Sequence, residues 1–305
     1  MNLLSIPKDS ALKPLPKSEH PFKYELKWRQ KQLLVRLAHT NDRLHLPSLD
    51  SQRWLVACLK RSPVRLISLA PDVGEEKLRY WADASAQAGK SLFLTIPNTP
   101  ELPKKQSGGS WWIKRLLDRV AAAIAILLLS PVFLAIALVI HLQSPGPILF
   151  CQWRVGERGR LFRIYKFRTM IVNAEELHHQ VMGNQQGLHK HENDPRITPN
   201  GRWLRKYSLD ELPQLFNVLR GEMSFVGPRP WALYDAVRIS PDVRQRLNAL
   251  PGITGAWQVM ARSNLRDIDM VNRSDLKYLR HWSLWKDLKI LLLTVPKVLS
   301  GFGAY

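Results

Sequence analysis

At 305 residues the chain is long enough for two domains, and 45% hydrophobic residues can build their cores. A formal net charge of +20 points to an anionic partner: a phosphorylated substrate, anionic lipid or nucleic acid. The two cysteines, Cys58 and Cys151, lie far apart, belong to no metal or redox motif and fit a reducing compartment.

Residues 1–21, with Pro7, Pro14, Pro16 and Pro21 among lysines, read as a loose leader. They lack the apolar core of a signal peptide, so the first hundred residues are expected to stay in the cytoplasm. Residues 22–97 predict a small α/β domain. Gln32–Leu37, Val64–Leu69 and Ser91–Ile96 are its strands, with helices over Ser51–Lys60 and Gly74–Ala88 between them. It carries neither G-x-G-x-x-G nor a P-loop, so no nucleotide is assigned to it. A regulatory or docking module is expected, the place for contacts with a second copy or with pathway partners. Residues 98–110, rich in Pro, Lys, Gly and Ser, form a linker. A second domain, 111–305, follows.

Its first feature is Val120–Ile140, a run of 21 residues that is apolar except for Ser130-Pro131 at its centre. A straight helix of this length spans about 30 Å, enough to cross a bilayer. Two features argue for a different geometry. Pro131 removes a helix hydrogen bond and clashes with the preceding turn, and Ser130 before it is pushed from helical geometry, so a sharp bend is expected. The Ser130 hydroxyl is then available to a freed carbonyl. Charge is the second: 21 Lys/Arg against 11 Asp/Glu precede the run, and 24 against 14 follow it, so neither flank is favoured for export. A re-entrant hairpin over about 113–142 is therefore predicted. It would be broken at Ser130-Pro131, with both termini cytoplasmic and Trp111, Trp112 and Trp153 at headgroup level.

Farther on, Phe162–Phe167 alternates like part of a strand pair, which would put Lys166 and Arg168 on one face. His178, His179, His189 and His191 show no metal-binding spacing and are read as structural or solvent-facing. A basic loop and helix then bring Arg205 to within five residues of Asp210.

Ser208-Leu-Asp-Glu211 matches a capping box, but Pro213 favours Asp210 as the N-cap of a helix running to Leu219 and ending at Gly221. In either register Asp210 sits at the positive end of a helix dipole, which favours its ionised form. Gly227-Pro-Arg-Pro230 follows, a rigid turn presenting Arg229 between two fixed backbone angles. Trp231–Ala249 reads as helical and Pro251–Val259 as a turn entering a strand. His281–Leu299 reads as an amphipathic helix with Leu284, Trp285, Leu288, Leu291, Leu292, Val295 and Leu299 on one face.

These motifs together resemble the bacterial sugar transferases, the monotopic polyprenyl-phosphate phosphoglycosyl transferases. The resemblance covers roughly Trp111–Tyr305. It rests on Lys114-Arg-Leu-Leu-Asp118, Ser130-Pro131, Arg163-Ile-Tyr-Lys-Phe-Arg-Thr-Met170, Asp194-Pro-Arg-Ile-Thr198, Ser208–Leu219, Gly227–Pro230, Pro251–Gly255 and Asp287–Leu291. It implies an α+β membrane domain anchored by the re-entrant hairpin at the bacterial inner membrane. The implied reaction moves a sugar-1-phosphate from a UDP-sugar to a polyprenyl phosphate in the inner-leaflet lipid and releases UMP, the first membrane step of exopolysaccharide, capsule or glycan synthesis. The family's dyad falls on Asp210, the nucleophile that would carry the phosphosugar, and Glu211, the Mg²⁺ ligand. Arg205, Arg229, Lys166 and Arg168 are the expected phosphate holders. Met260-Ala-Arg262 departs from the Ser-Gly-Arg of many relatives, so no sugar preference is carried over.

Two other classes compete. A non-catalytic single-span scaffold would put the termini on opposite sides of the membrane. A nucleic-acid binder would explain the charge, but no nucleic-acid fold signature appears and the apolar run would have no purpose.

Overall fold

The computed structural model describes residues 24–37, 51–97, 108–174, 177, 194–241, 243–260 and 268–300. The leader, most of the linker, the four-histidine stretch and Arg262 lie outside the described residues. Two compact units emerge.

In the N-terminal unit, β1 (Tyr24–Arg29) and β2 (Gln32–Leu37) form an antiparallel hairpin turning at Gln30, whose φ is 53°. The helix α1 (Gln52–Arg61) leads to β3 (Leu66–Leu69), and α2 (Glu75–Gln87) leads to β4 (Ser91–Leu94). The sheet order is β1-β2-β3-β4, with β2, β3 and β4 parallel, as strand–helix–strand connections require. Val35, Ile67, Leu69 and Leu94 from the strands meet Leu55, Leu59, Leu78 and Trp81 from the helices in its core. These strands and helices fall where the apolar spacing predicts them, and β1, where Tyr-Glu-Leu-Lys-Trp-Arg alternates, adds a fourth strand. The unit also takes in Arg158–Leu161 and Trp231–Arg238. Arg160 makes an isolated bridge to Phe93.

The second unit is built around two helices, α3 (Gly108–Leu128) and α4 (Ser130–Gln143), bent by 62° at Leu129. The expected break is present, and its chemistry is local. Pro131 has no N–H for the Leu127 carbonyl, and the Ser130 hydroxyl donates to that oxygen at 2.8 Å instead. No single described helix is long and apolar enough to cross a membrane; the bent pair meets that test only together. One side of the pair buries Ala122, Ile136 and Ile140, while Leu116, Leu127, Leu128, Leu134, Leu138 and Leu142 are exposed. Trp111 is not at the surface: it is buried, edge-on to Trp282 with centroids 5.2 Å apart.

The strands β5 (Leu149–Val155) and β6 (Leu161–Phe167) pair into a two-stranded sheet. The helix α5 (Pro199–Lys206) and α6 (Gln214–Leu219) follow, with a 3-10 turn, Leu209–Glu211, between them. Further on, β7 (Ser224–Val226) pairs in parallel with β8 (Gly252–Thr254). Among its described residues the region 231–249, expected to be one helix, contains only the one-turn helix Leu233–Ala236 and the 3-10 stretch Arg244–Asn248. Pro241, which has no N–H to continue a helix, lies between them, and the Ser240 hydroxyl donates to Asp269 at 2.7 Å. The strand expected through Val259 stops at Thr254, where pairing with β7 ends, and α7 (Ala256–Met260) begins. The chain closes with α8 (Ile268–Arg280) and α9 (Leu284–Ser300).

Two apolar clusters hold this unit together and set the position of the acid pair. In one, Ile136, Ile140, Phe167 and Leu204 pack with Leu209 and Leu212. In the other, Ala122, Phe162, Ile164 and Val218 pack with Leu215. Leu209 and Leu212 flank Asp210 and Glu211, so the pair rides directly on the inner face of the bent helices.

Candidate active site

The acid pair does not cap a helix. Ser208 adopts left-handed geometry (φ 53°), Asp210 and Glu211 lie in the 3-10 turn, and Pro213 occupies the N-cap of α6 without a side-chain cap bond. The expected helix is only six residues long, and its N-terminus is past the acids. The predicted helix-dipole stabilisation of an ionised Asp210 therefore does not govern. Asp210 is 7% exposed, and burial pushes its carboxyl above the usual carboxylate range. Lys166, Arg205 and Arg229 pull the other way, while Glu211 adds to the rise.

Lys166 comes to the pair from β6. Its Nζ lies 2.6 Å from Glu211 Oε1 and 4.0 Å from Asp210 Oδ2. Burial draws this ammonium below the usual lysine range, opposed by the charges of Glu211 and Asp210. Arg229 arrives from the far side, its Nη2 3.6 Å from Glu211 Oε1. Arg205 is in the last turn of α5, and its Nε donates to Thr169 Oγ1 at 2.9 Å. The structure thus gathers Lys166, Arg229 and the dyad, with the Arg205 charge felt at Asp210.

Arg168 is not part of this group. Its Nη1 and Nη2 donate to the carbonyls of Pro145 and Ser144, at 2.9 and 2.6 Å, and close off the end of α4. The alternation that would have put it beside Lys166 ends with the strand at Phe167. Arg168 is held as a tie between sheet and bent helices.

Sequence reasoning also missed the residues that hold this geometry. Asn217, fully buried, treats β6 as a partner strand would: its Oδ1 accepts from Tyr165 N–H and its Nδ2 donates to the Arg163 carbonyl. This fixes the strand one residue before Lys166 against the helix just after the dyad. Asp194 and Arg196 form a buried pair at 2.7 Å. Although burial works in the opposite direction, Arg196 holds Asp194 below the usual carboxylate range. Thr198 then caps α5 by accepting from Gly201 N–H, and a Cβ at Gly201 would lie 2.1 Å from the Thr169 carbonyl, so α5 packs against backbone. Asn217 and the Asp-Pro-Arg-Ile-Thr motif were visible as letters, but the carbonyls that tie them to the rest of the unit, Ala174 for Arg196 and Arg163 for Asn217, lie 22 and 54 residues away.

No group of three or more His, Cys, Asp or Glu that could hold a metal occurs among the described residues. Glu211, beside one further carboxylate, fits an ion that takes one or two protein carboxylates and completes its shell with substrate phosphates and water, as Mg²⁺ does. Three cations around two acids favour anionic oxygens beside them. A carboxylate in such surroundings can act as an acid, a base or a nucleophile.

The carboxylate dyad thus lies in a turn whose leucines pack on a bent, outwardly apolar helix pair, with cationic side chains around it. The family model for bacterial sugar transferases matches residues 109–301, and the chain belongs to that family. The undecaprenyl-phosphate galactose phosphotransferase of Salmonella typhimurium is 41% identical over 70% of this chain and 45% of its own length. The UDP-glucose:undecaprenyl-phosphate glucose-1-phosphate transferase of Caulobacter vibrioides is 46% identical over 63% of this chain and 72% of its own. A sugar transferase of Haemophilus influenzae, named as uncharacterized, is 42% identical over 86% of this chain and 61% of its own. That last match reaches beyond the family segment into the N-terminal unit. The chain spans less than half the length of some of the curated relatives it matches.

Proposed function

We propose that the protein transfers a sugar-1-phosphate from a UDP-sugar to a polyprenyl phosphate such as undecaprenyl phosphate, at the cytoplasmic face of a bacterial inner membrane. Two relatives are named for undecaprenyl-phosphate sugar phosphotransfer, which supports the reaction class. They are named for different sugars, galactose and glucose, so the sugar is a matter for assay.

The observation that carries the reading is the placement of Asp210. It is buried beside Lys166, between two leucines that pack on the apolar helix pair, which supports a nucleophile held close to a lipid surface. In the first step an Asp210 oxygen attacks the sugar-bearing phosphorus and the bond to UMP breaks. In the second, an oxygen of the lipid phosphate attacks the same phosphorus, releases Asp210 and leaves a sugar diphospholipid. Lys166 and Arg229 hold phosphate oxygens, reducing the repulsion between carboxylate and diphosphate. Glu211 would hold Mg²⁺, which supplies charge neutralisation on the phosphates. Arg205, tethered to Thr169, faces the lipid or sugar phosphate.

The bent helices serve as the re-entrant anchor in this reading. Their exposed leucines form an apolar surface larger than scattered surface residues need, and the 62° bend speaks against a straight single-span scaffold. On α9 the apolar side chains Trp285, Leu292, Val295 and Leu299 are likewise exposed, while the inward face is made by Asp287 and Ile290. That arrangement suits a helix lying along the lipid surface.

The deciding experiment is a panel of UDP-sugars with polyprenyl phosphate, assayed for UMP release. With the right donor alone, mass analysis should find the phosphosugar on Asp210. Lipid product without any such adduct would overturn the two-step path, and an N- and C-terminus on opposite membrane faces would overturn the anchor.

A further inference from the structure

Arg229 stands between two prolines, which lack N–H groups and can be held chiefly by their carbonyls. All three carbonyls of Pro228-Arg-Pro230 are engaged. Gly252 N–H donates to Pro228 at 2.9 Å, Arg246 Nη2 to Arg229 at 2.6 Å, and Arg154 Nη1 to Pro230 at 3.2 Å. Gly227 completes the fit: a Cβ there would lie 2.5 Å from the Leu250 carbonyl.

Arg246 is unusual among these donors. It is 3% exposed and pairs through Nε and Nη2 with Asp275 Oδ2, at 3.1 and 2.7 Å, on α8. A buried ion pair contributes little net stability over apolar side chains of the same volume. What apolar side chains could not do is reach a neighbouring carbonyl. The planar fork of arginine can satisfy Asp275 and the Arg229 carbonyl together; the single ammonium of lysine presents no such fork. At the other end, the Arg229 side chain is 34% exposed and its contact with Glu211 is long, at 3.6 Å. Its aim is therefore set by its backbone more than by its partner.

We propose that Arg246, neutralised by Asp275 and assisted by Arg154, is a positioning residue that acts through Arg229 on the donor nucleotide's diphosphate. This rests on the reading of the reaction given above. Arg246 touches no substrate; it fixes the carbonyl from which the Arg229 guanidinium is delivered.

The test is a double-mutant cycle. Arg246→Lys, Arg229→Ala and the double variant are assayed for UMP release with donor and lipid varied in turn, and for UDP binding by calorimetry with Mg²⁺. Arg246→Lys is expected to raise the donor KM and the UDP Kd about tenfold, the size of losing one hydrogen bond to a charged group. The lipid KM should stay within about twofold, and in the Arg229→Ala background the same change should add almost nothing. Equal effects in both backgrounds, a loss falling on the lipid KM, or a lower melting temperature with unchanged donor binding would each overturn the proposal. Should Arg246→Lys fail to fold, Arg154→Lys loosens the next carbonyl and must shift donor binding in the same direction, again only when Arg229 is present. If the wild type releases no UMP with any UDP-sugar, the proposed reaction fails, while the UDP calorimetry still decides the clamp. A wild type that also binds no UDP overturns both.

Discussion

Two lysines of low exposure, each beside two carboxylates, show how a charge cluster rich in acids differs from one rich in cations. Lys114 lies 2.7 Å from Asp287 and 3.5 Å from Asp118 at the base of the bent helices. Asp287 also accepts from the Tyr278 hydroxyl at 2.5 Å and the Trp282 indole at 3.1 Å. That hydroxyl keeps its proton, because burial first and the neighbouring carboxylates second push its pKa far up. Neutral donors thus satisfy Asp287, while Asp118 Oδ2 is buried with the Lys114 charge near it. Around Lys166 the balance is reversed. Asp210 is 4.0 Å from its lysine, beyond hydrogen-bond range, and the extra neighbours are cations, Arg229 and Arg205. One cluster sets a single cation against two acids; the other sets three cations against two, a balance that suits an anionic oxygen.

The comparison breaks first at Asp210. Asp210→Asn should lower UMP release on the order of 10⁴-fold or more, as removal of a nucleophile does. Its stability should not fall. A folded-state pKa above the unfolded one means the folded state binds the extra proton, so ionising Asp210 weakens the fold as pH rises, and an amide escapes that loss. Chemical denaturation of the variant near neutral pH checks this.

Lys114→Met should behave in the opposite way. Removing one partner of a closed buried pair leaves Asp287 uncompensated and should cost about 3 kcal/mol, read as a lower denaturant midpoint. Lys166→Met should lose far less stability but should alter the pH profile. In the proposed reaction Asp210 acts ionised, and the Lys166 charge lowers its pKa, so the acid limb of kcat/KM should move to higher pH in the variant. An acid limb that stays put would show that Lys166 does not act on Asp210. The smallest effect is expected at Arg168. Arg168→Lys should loosen its ties to Ser144 and Pro145, lowering the melting temperature, yet change the donor KM by less than about twofold.

Much of the local structure was legible because it rests on near neighbours. The break at Ser130-Pro131 follows from a missing N–H and a hydroxyl one residue away, and the structure shows that bond. Three N-terminal strands and both helices between them followed from apolar periodicity. The dyad was found as a motif, but its setting was misread. A capping pattern and a following apolar run predict a helix start, whereas packing of Leu209 and Leu212 against the bent helices keeps the acids in a tight 3-10 turn. Arg168 shows the same limit, since strand alternation holds only as far as the strand does.

By itself the sequence determined the kind of chain this is: an α/β module, a bent apolar helix pair, an acid pair and a clamped arginine, each written within a few residues. Only the tertiary structure decided which cations meet the acids and which are spent elsewhere, that burial rather than a helix end sets the state of Asp210, and that Asn217 and Arg246 brace the site. The reason is range. Backbone geometry is fixed by adjacent residues, while the charge environment of a buried carboxylate comes from side chains tens of residues away, brought near only when the apolar clusters close.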